Sequence, residues 1–310
     1  MTTKILVLGS NGQIGTVLSE ALRLKYDQKN VITSDIRPPK NPIGVFLHID
    51  VLDKEAIRSA IIQHGITQIY HLAAILSASG EKNPSLTWKI NMEGLINVLD
   101  LAVECKIERV FFPSSIAIYG PTTPKVNTPQ FTSFIPSTVY GMSKLAGENW
   151  CEYYYTRYGL DVRSIRYPGV IGWQSLPEGG TTDYAVEIFH AALKNETYSC
   201  FLEANTRLPM IYMDDAIRAT ISLMEADSNA LTVRTSYNLV GMSFTPLEIY
   251  EEIKKHFPEF KIMYNPDFRQ AIAASWAESI DDHTAQHDWH WKPQYGLAKM
   301  TSDMFEHLRL

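Results

Sequence analysis

The chain has 310 residues, 45% of them apolar, with 28 basic and 34 acidic side chains and a formal net charge of −6. This length suits one large domain, or a large domain with a small dependent lobe, and the apolar fraction can fill a core. The mildly acidic balance gives no electrostatic reason to seek nucleic acid or an anionic membrane, and no apolar run approaches a membrane span.

Only Met1-Thr2-Thr3 precedes Lys4, so no leader is expected, and the first strand starts at once at Ile5–Leu8. Val31–Ser34, Val45–Leu47, Gln68–Leu72, Arg109–Phe112 and Val162–Arg166 read as further strands. Helical patterns fill 13–25, 53–63, 85–105 and 139–158. This alternation predicts a parallel sheet covered by helices on both faces. The second half is less regular. Pro and Gly cluster at Pro168-Gly169 and at Pro177-Glu178-Gly179-Gly180. Helices are predicted at 183–194, 214–226 and 245–256, and short strands at 208–213 and 235–240. There are no repeats, low-complexity tracts or linkers. Cys105, Cys151 and Cys200 are odd in number and far apart, which predicts reduced thiols in a soluble, cytoplasmic protein.

Gly9-Ser10-Asn11-Gly12-Gln13-Ile14-Gly15 follows the first strand and opens the first helix. The first glycine permits a tight turn, and the second lets the backbone approach a pyrophosphate. The third lets helix and strand pack closely, and the helix N-terminus faces the phosphates with free N–H groups. A plain turn is the alternative. Asp35 ends the second strand, 20 residues after Gly15. A carboxylate there can accept both ribose hydroxyls of an adenosine and repels a 2′-phosphate, which points to NAD over NADP. Arg37 dissents, because it can hold that phosphate; it can equally be a solvated loop charge. Asp50, in Ile49-Asp50-Val51, can contact the adenine amino group or cap the next helix. The fold expected is an α/β, Rossmann-type doubly wound parallel sheet with a smaller α/β C-terminal substrate lobe. The cofactor domain is placed at 1–167 and the mainly substrate-binding lobe at 168–310, with the chain crossing between them more than once.

Tyr140 and Lys144 are four residues apart at the start of a helical stretch, so they share one face. A free tyrosine has a pKa of about 10, too high for a base at neutral pH. A neighbouring ammonium and a positive nicotinamide both favour the phenolate. Alone, this pair reads more readily as an ordinary surface Tyr and Lys. Ser114-Ser115 follows the fifth strand at the carboxyl edge of the sheet, where a serine can orient a substrate hydroxyl. Asn91 can anchor a water or a backbone carbonyl in a proton path, or make a local helix bond. The glycine turn, Asp35, Ser115 and Tyr140/Lys144 occur together in a consistent order.

These residues resemble the extended short-chain dehydrogenases/reductases, best known for nucleotide-sugar epimerases and dehydratases. The similarity runs nearly end to end. His71-Leu72-Ala73-Ala74 matches the segment lining the cofactor, and Ser115–Gly120 the segment with the catalytic serine or threonine. Arg166-Tyr167-Pro168-Gly169 matches the stretch against the nicotinamide. The resemblance implies cofactor contacts from Val51, Leu72, Ala73, Ala74, Asn91, Ser114, Tyr140, Lys144, Tyr167 and Pro168. The sugar enzymes usually carry an R-x-F-x-Y-V-x-D segment; this chain has Leu208–Asp215 instead. With Gly179–Ala185, Ser279–Asp282, Asp288–Trp291 and Leu76–Pro84, it is similar to the L-threonine 3-dehydrogenases of the superfamily. That implies oxidation of the threonine β-hydroxyl by NAD to 2-amino-3-oxobutyrate, with Ser77, Ser115, Tyr140, Thr181, Thr182 and Asp183 holding the amino acid. A zwitterion needs acceptors for its ammonium, which Asp183 can supply, and donors for its carboxylate, which hydroxyls can supply. Gly180–Asp183 can also be a helix N-cap, and Trp276 either closes over substrate or is a core aromatic. His290 departs from the group, where glycine is commoner. Relatives pair through helices matching 85–105 and 139–158, which implies a homodimer.

His283, His287 and His290 can share a helix face, but no acidic or thiol ligand completes a zinc set, so no metal is expected. Two other functions compete: a nucleotide-sugar epimerase or dehydratase on the same fold, and a non-catalytic NAD-sensing protein. The intact Ser115, Tyr140 and Lys144 argue against the latter.

Overall fold

Successive residues of the first strand, β1 (Ile5–Leu8), enter different cores. Ile5 and Val7 pack with Leu18 and Leu22 of α1 (Gln13–Tyr26), whereas Leu6 and Leu8 pack with Leu95 and Val98. A strand apolar on both faces is the signature of a sheet covered on both sides. The computed structural model describes residues 2–39, 41–177 and 180–309. Glu178 and Gly179, named above in the Pro/Gly cluster and the glycine–threonine loop, lie outside the described residues, as does Met1.

The first half continues with β2 (Val31–Asp35), β3 (Phe46–His48), α2 (Lys54–His64), β4 (Gln68–His71), α3 (Ser77–Gly80) and α4 (Pro84–Glu104). Then come β5 (Arg109–Ser115), α5 (Val139–Tyr158) and β6 (Asp161–Tyr167). β5 runs to Ser115, beyond the predicted Phe112, because its end pairs with β6 as far as Tyr167. The second half holds β7 (Gly169–Ile171), α6 (Tyr184–Leu193), β8 (Tyr198–Cys200), β9 (Leu208–Tyr212), α7 (Met213–Glu225) and β10 (Tyr237–Asn238). It ends with β11 (Met242–Phe244), α8 (Pro246–Lys254), β12 (Ile262–Tyr264), α9 (Phe268–Ser275), α10 (His283–Trp289) and α11 (Leu297–Leu308).

Seven strands form one parallel sheet in the order β10-β6-β5-β4-β1-β2-β3, the doubly wound arrangement expected. Residues 213–238 return to it: α7 shares a core with α1, and β10 pairs with β6. Smaller sheets, β11-β9-β7 and β12-β8, frame a third core with α6, α8 and α11. The strands β7, β8, β11 and β12 have three residues each, too short to show a period in the sequence. The predicted strand 235–240 contracts to Tyr237–Asn238.

The shared histidine face is corrected. α10 ends at Trp289, and His290 turns left-handed at φ 60°, outside the helix. His283 pairs with Asp281 at 2.5 Å and His287 with Asp288 at 2.9 Å. Among the described residues no group of three or more His, Cys, Asp or Glu side chains is placed to hold a metal ion. Among them, too, no helix is long and apolar enough to cross a membrane. All three cysteines are free thiols.

Candidate active site

The sheet order reverses at β1: β2 lies on one side and β4 on the other. A crevice opens at such a switch point, beyond the carboxyl ends of the strands. Gly9 turns there with φ +83°, and a Cβ on it would sit 2.6 Å from the Ala73 amide nitrogen. On Gly15 a Cβ would overlap the Gly9 carbonyl and lie 2.9 Å from Ser10. On Gly12 it would meet only the Gly9 oxygen, at 3.6 Å. The protein itself therefore needs no glycine at 12; that space suits a ligand. Helix α1 has neither a capping side chain nor an acidic residue in its first turn, so its N-terminal amides remain for an anion.

The end of β2 is tied to this loop. The Asn11 amide donates to Asp35 at 3.1 Å, and the Arg37 amide donates to Asp35 at 3.0 Å. Asn11 Nδ2 donates to the Arg37 carbonyl at 2.6 Å. The Arg37 guanidinium, largely exposed, lies 3.7 Å from the Asp35 carboxylate. Gln13 reaches the Val170 carbonyl at 3.2 Å, and Ile14 packs against the core of α1 and α7. Leu72, Ala73 and Ala74 are half-buried where β4 passes Gly9, and Val51 is buried. These residues fit a dinucleotide.

The geometry fixes the partners of three of the named side chains. Asp50 does not cap α2: Asp53 does, accepting the Ala56 amide at 2.9 Å, while Asp50 accepts Leu52 N at 2.9 Å and is exposed. The Ser114 hydroxyl is committed to Glu148 at 2.5 Å, and Glu148 is paired with Arg166 at 2.8 Å in a fully buried network. The Tyr167 hydroxyl bonds Thr220 within the core. Ser114 and Tyr167 thus have only backbone to offer a cofactor, as does buried Pro168 through its carbonyl.

Tyr140 is the second residue of α5. Thr138 caps this helix, accepting the Gly141 amide at 3.1 Å. A Cβ on Gly141 would overlap the Ala117 carbonyl, so the helix rests directly on the turn Ile116–Ile118. Ser115 begins that turn, accepting Ala117 N at 3.2 Å. Ser115 and Tyr140 therefore lie together. Burial pushes the Tyr140 phenol up to about 12, and the Ser115 hydroxyl pulls it the other way. Lys144 Nζ lies 5.6 Å from the Tyr140 ring centre and donates to the Pro113 carbonyl at 2.7 Å. Burial pushes Lys144 down to about 7. Beside it, His71 is pushed down to about 3 by burial and then by the Lys144 charge, so it stays neutral. Asn91 accepts Ile75 N at 2.8 Å, and donates to the Ile75 carbonyl and to Ser143 Oγ at 3.1 Å each. It anchors backbone outside its own helix, not a local turn.

Ser77 is buried at the start of α3. Thr181 is buried, and its hydroxyl has no hydrogen-bond partner among the described residues. Thr182 closes on Gly169. Asp183 accepts the Gly180 amide at 2.7 Å; it occupies the N-cap position of α6 without a side-chain capping bond, so the threonines do not cap that helix. Trp276 packs in the third core, and its indole N–H has no partner among the described residues. Sequence reading missed Thr138, Gly141 and Ser143 as supports of Tyr140. A threonine just before the helical run was the available signal for Thr138; Gly141 and Ser143 become visible only through contacts with other elements.

Residues 5–239 match the model of the NAD dependent epimerase/dehydratase family. The mitochondrial L-threonine 3-dehydrogenase of Sus scrofa is 47% identical over 305 residues, 97% of this chain and 81% of that protein. An L-threonine dehydrogenase structure from Cupriavidus necator, in its holo form, is 54% identical with a TM-score of 0.97, covering 98% of this chain and 99% of that one. The UDP-glucose 4-epimerase of Thermotoga maritima, at 22% identity, shares the fold with a TM-score of 0.86 over 99% of this chain and 100% of that one. The chain thus belongs to the NAD dependent epimerase/dehydratase family, in the branch of the extended short-chain dehydrogenases/reductases that holds the L-threonine 3-dehydrogenases.

Proposed function

We propose that this protein oxidises the β-hydroxyl of L-threonine with NAD, giving 2-amino-3-oxobutyrate, NADH and a proton. The observation that most supports this chemistry is Tyr140 seated on the Ser115 turn, with Lys144 one helix turn behind it. The names of the relatives at 47% and 54% identity support threonine as the substrate.

NAD, when bound, supplies the positively charged ring that accepts hydride from the β-carbon. The Gly9–Gly15 loop and the N-terminus of α1 hold its pyrophosphate, and Asp35 its adenosine ribose. Tyr140 takes the hydroxyl proton on its phenolate oxygen, and Ser115 orients that hydroxyl. Lys144, when protonated, favours the phenolate by charge. Asn91 holds the backbone at Ile75. Ser77, Thr181, Thr182 and Asp183 receive the amino acid: the carboxylate takes the ammonium, and the hydroxyls donate to the substrate carboxylate. A buried hydroxyl without a partner among the described residues, as at Thr181, supports that role. The Trp276 N–H is available in the same sense. In this reading residues 1–167 serve the cofactor and 168–310 mainly the substrate. Exposed Trp88, Trp150, Tyr153 and Tyr158 on α4 and α5 support a homodimer through those helices. The free cysteines support a reducing compartment such as the cytoplasm.

The test is NADH formation from NAD with threonine, serine, 3-hydroxybutyrate and UDP-glucose. Threonine should be best. Serine lacks one methyl, worth about 1–3 kcal/mol, and should be slow but detectable. 3-Hydroxybutyrate lacks the ammonium and should be very poor. If millimolar threonine yields no NADH while a hydroxy acid or nucleotide sugar reacts, the amino-acid assignment is wrong.

A further inference from the structure

A surface carboxylate outside the catalytic trio touches the helix that carries Tyr140. Glu81 directly follows α3, and its Oε1 accepts the Val139 N–H at 2.8 Å. Val139 is the first residue of α5, so that N–H has no partner within the helix. A negative side chain suits the positive end of the helix dipole.

The other end of the same segment is tied to the same helical turn. The Ile75 amide donates to Asn91, Asn91 donates to Ser143 Oγ at 3.1 Å, and Ser143 Oγ donates to the Tyr140 carbonyl at 2.8 Å. Between these ends, Thr87 Oγ1 donates to the Gly80 carbonyl at 3.0 Å. Residues 75–81 are therefore held at both ends against the first turn of α5, with buried Ser77 between them. α3 is only four residues long, too short a helix to keep its place unaided.

We propose that Glu81 and Ser143 are positioning residues. They form a two-point clamp that fixes the Ser77 segment relative to the Tyr140 hydroxyl, and so sets where the substrate hydroxyl meets the phenol. The inference rests on the reading that this segment receives the substrate. The clamp grips the substrate side and leaves the Gly9–Gly15 loop untouched, so its loss should separate substrate handling from cofactor binding.

The test compares Glu81→Ala, Glu81→Gln and Ser143→Ala with the wild type. Glutamine keeps an Oε1 that can accept the Val139 N–H but carries no charge. Amide hydrogen exchange is followed without ligands at residues 75–83 and 138–141. NAD affinity is measured by titration, and kcat and KM with threonine. Glu81→Ala should exchange faster in both segments. Its kcat/KM should fall about 10- to 100-fold, as expected for a misplaced reactant, with NAD affinity within about twofold. Ser143→Ala should do the same, and Glu81→Gln should recover most of the loss. Unchanged exchange in Glu81→Ala overturns the clamp. So does an equal loss of NAD affinity, or a Glu81→Gln as impaired as Glu81→Ala. If the wild type oxidises another hydroxyl compound but not threonine, the threonine reading fails by itself, and the clamp is judged on exchange and on kcat/KM for that compound.

Discussion

Lys144 Nζ donates to the Pro113 carbonyl at 2.7 Å. Pro113 lies where β5 has parted from β4: that pair ends at Phe111, while β5 stays with β6 to Ser115. On the side open to the crevice, a residue without an N–H costs no ladder bond. Its carbonyl is met by the lysine of α5, which pins the helix to the strand two residues before Ser115. One bond thus registers the helix carrying Tyr140 against the strand carrying Ser115.

Replacing Tyr140 with phenylalanine keeps the ring in place and removes the proton acceptor. Turnover should fall at least about a hundredfold while NAD binding is largely kept. Steady-state rates with a parallel NAD titration check this; near-normal turnover would dismiss Tyr140 as the base.

The pH profile should report the Tyr140 environment. Oxidation needs the phenolate, so kcat/KM should fall as pH is lowered. The Ser115 hydroxyl pulls the phenol down, against the burial that pushes it up. Ser115→Ala removes that pull, so the acid limb should move to higher pH and the deficit should shrink as pH rises. Rates across the pH range for both proteins decide it; coincident limbs would remove Ser115 from the phenol's surroundings.

Lys144 should cost stability for the sake of function. Burial pushes the folded lysine down to about 7, against about 10.4 in the unfolded chain. Between these values the unfolded chain holds more protons, so wild-type stability rises with pH in that window. Lys144→Met carries no such charge. Its stability relative to wild type should be greatest below pH about 7 and decline toward pH about 10, while turnover is lost. Denaturant unfolding at neutral and alkaline pH measures the difference, and a difference independent of pH would contradict the burial argument.

The glycine loop should separate folding from binding. Gly15→Ala meets the Gly9 carbonyl and Ser10, so it should lower the melting temperature without any ligand. Gly12→Ala meets only one atom, at 3.6 Å, so it should melt like the wild type and bind NAD at least about tenfold more weakly. Thermal unfolding and NAD titration on the two variants test the pair; equal NAD affinity in Gly12→Ala would move the pyrophosphate elsewhere.

Asp35→Ala should narrow the preference for NAD over NADP. It removes the carboxylate that repels a 2′-phosphate and frees Arg37, now 3.7 Å from it, to meet that phosphate. The ratio of the two dissociation constants is the readout; a wild type that binds both equally would give the site to Arg37.

What the sequence by itself determined was whatever lies within one element or between adjacent ones. The β/α alternation, the strand–glycine loop–helix unit, Asp35 at the end of β2, and Tyr140 and Lys144 on one helix face follow from local spacing, which a short window of sequence carries. The tertiary structure alone decided which way adjacent side chains point and what they meet. Ser114 and Ser115 are neighbours on a strand, so their side chains leave on opposite faces: one joins the buried Glu148–Arg166 pair, the other starts the turn beneath Tyr140. Asp50 read as a candidate cap of the next helix, but the chain's turn into α2 gives that place to Asp53. Glu81 and Val139 are 58 residues apart, and no periodicity encodes a contact made by two elements folding against the same helix.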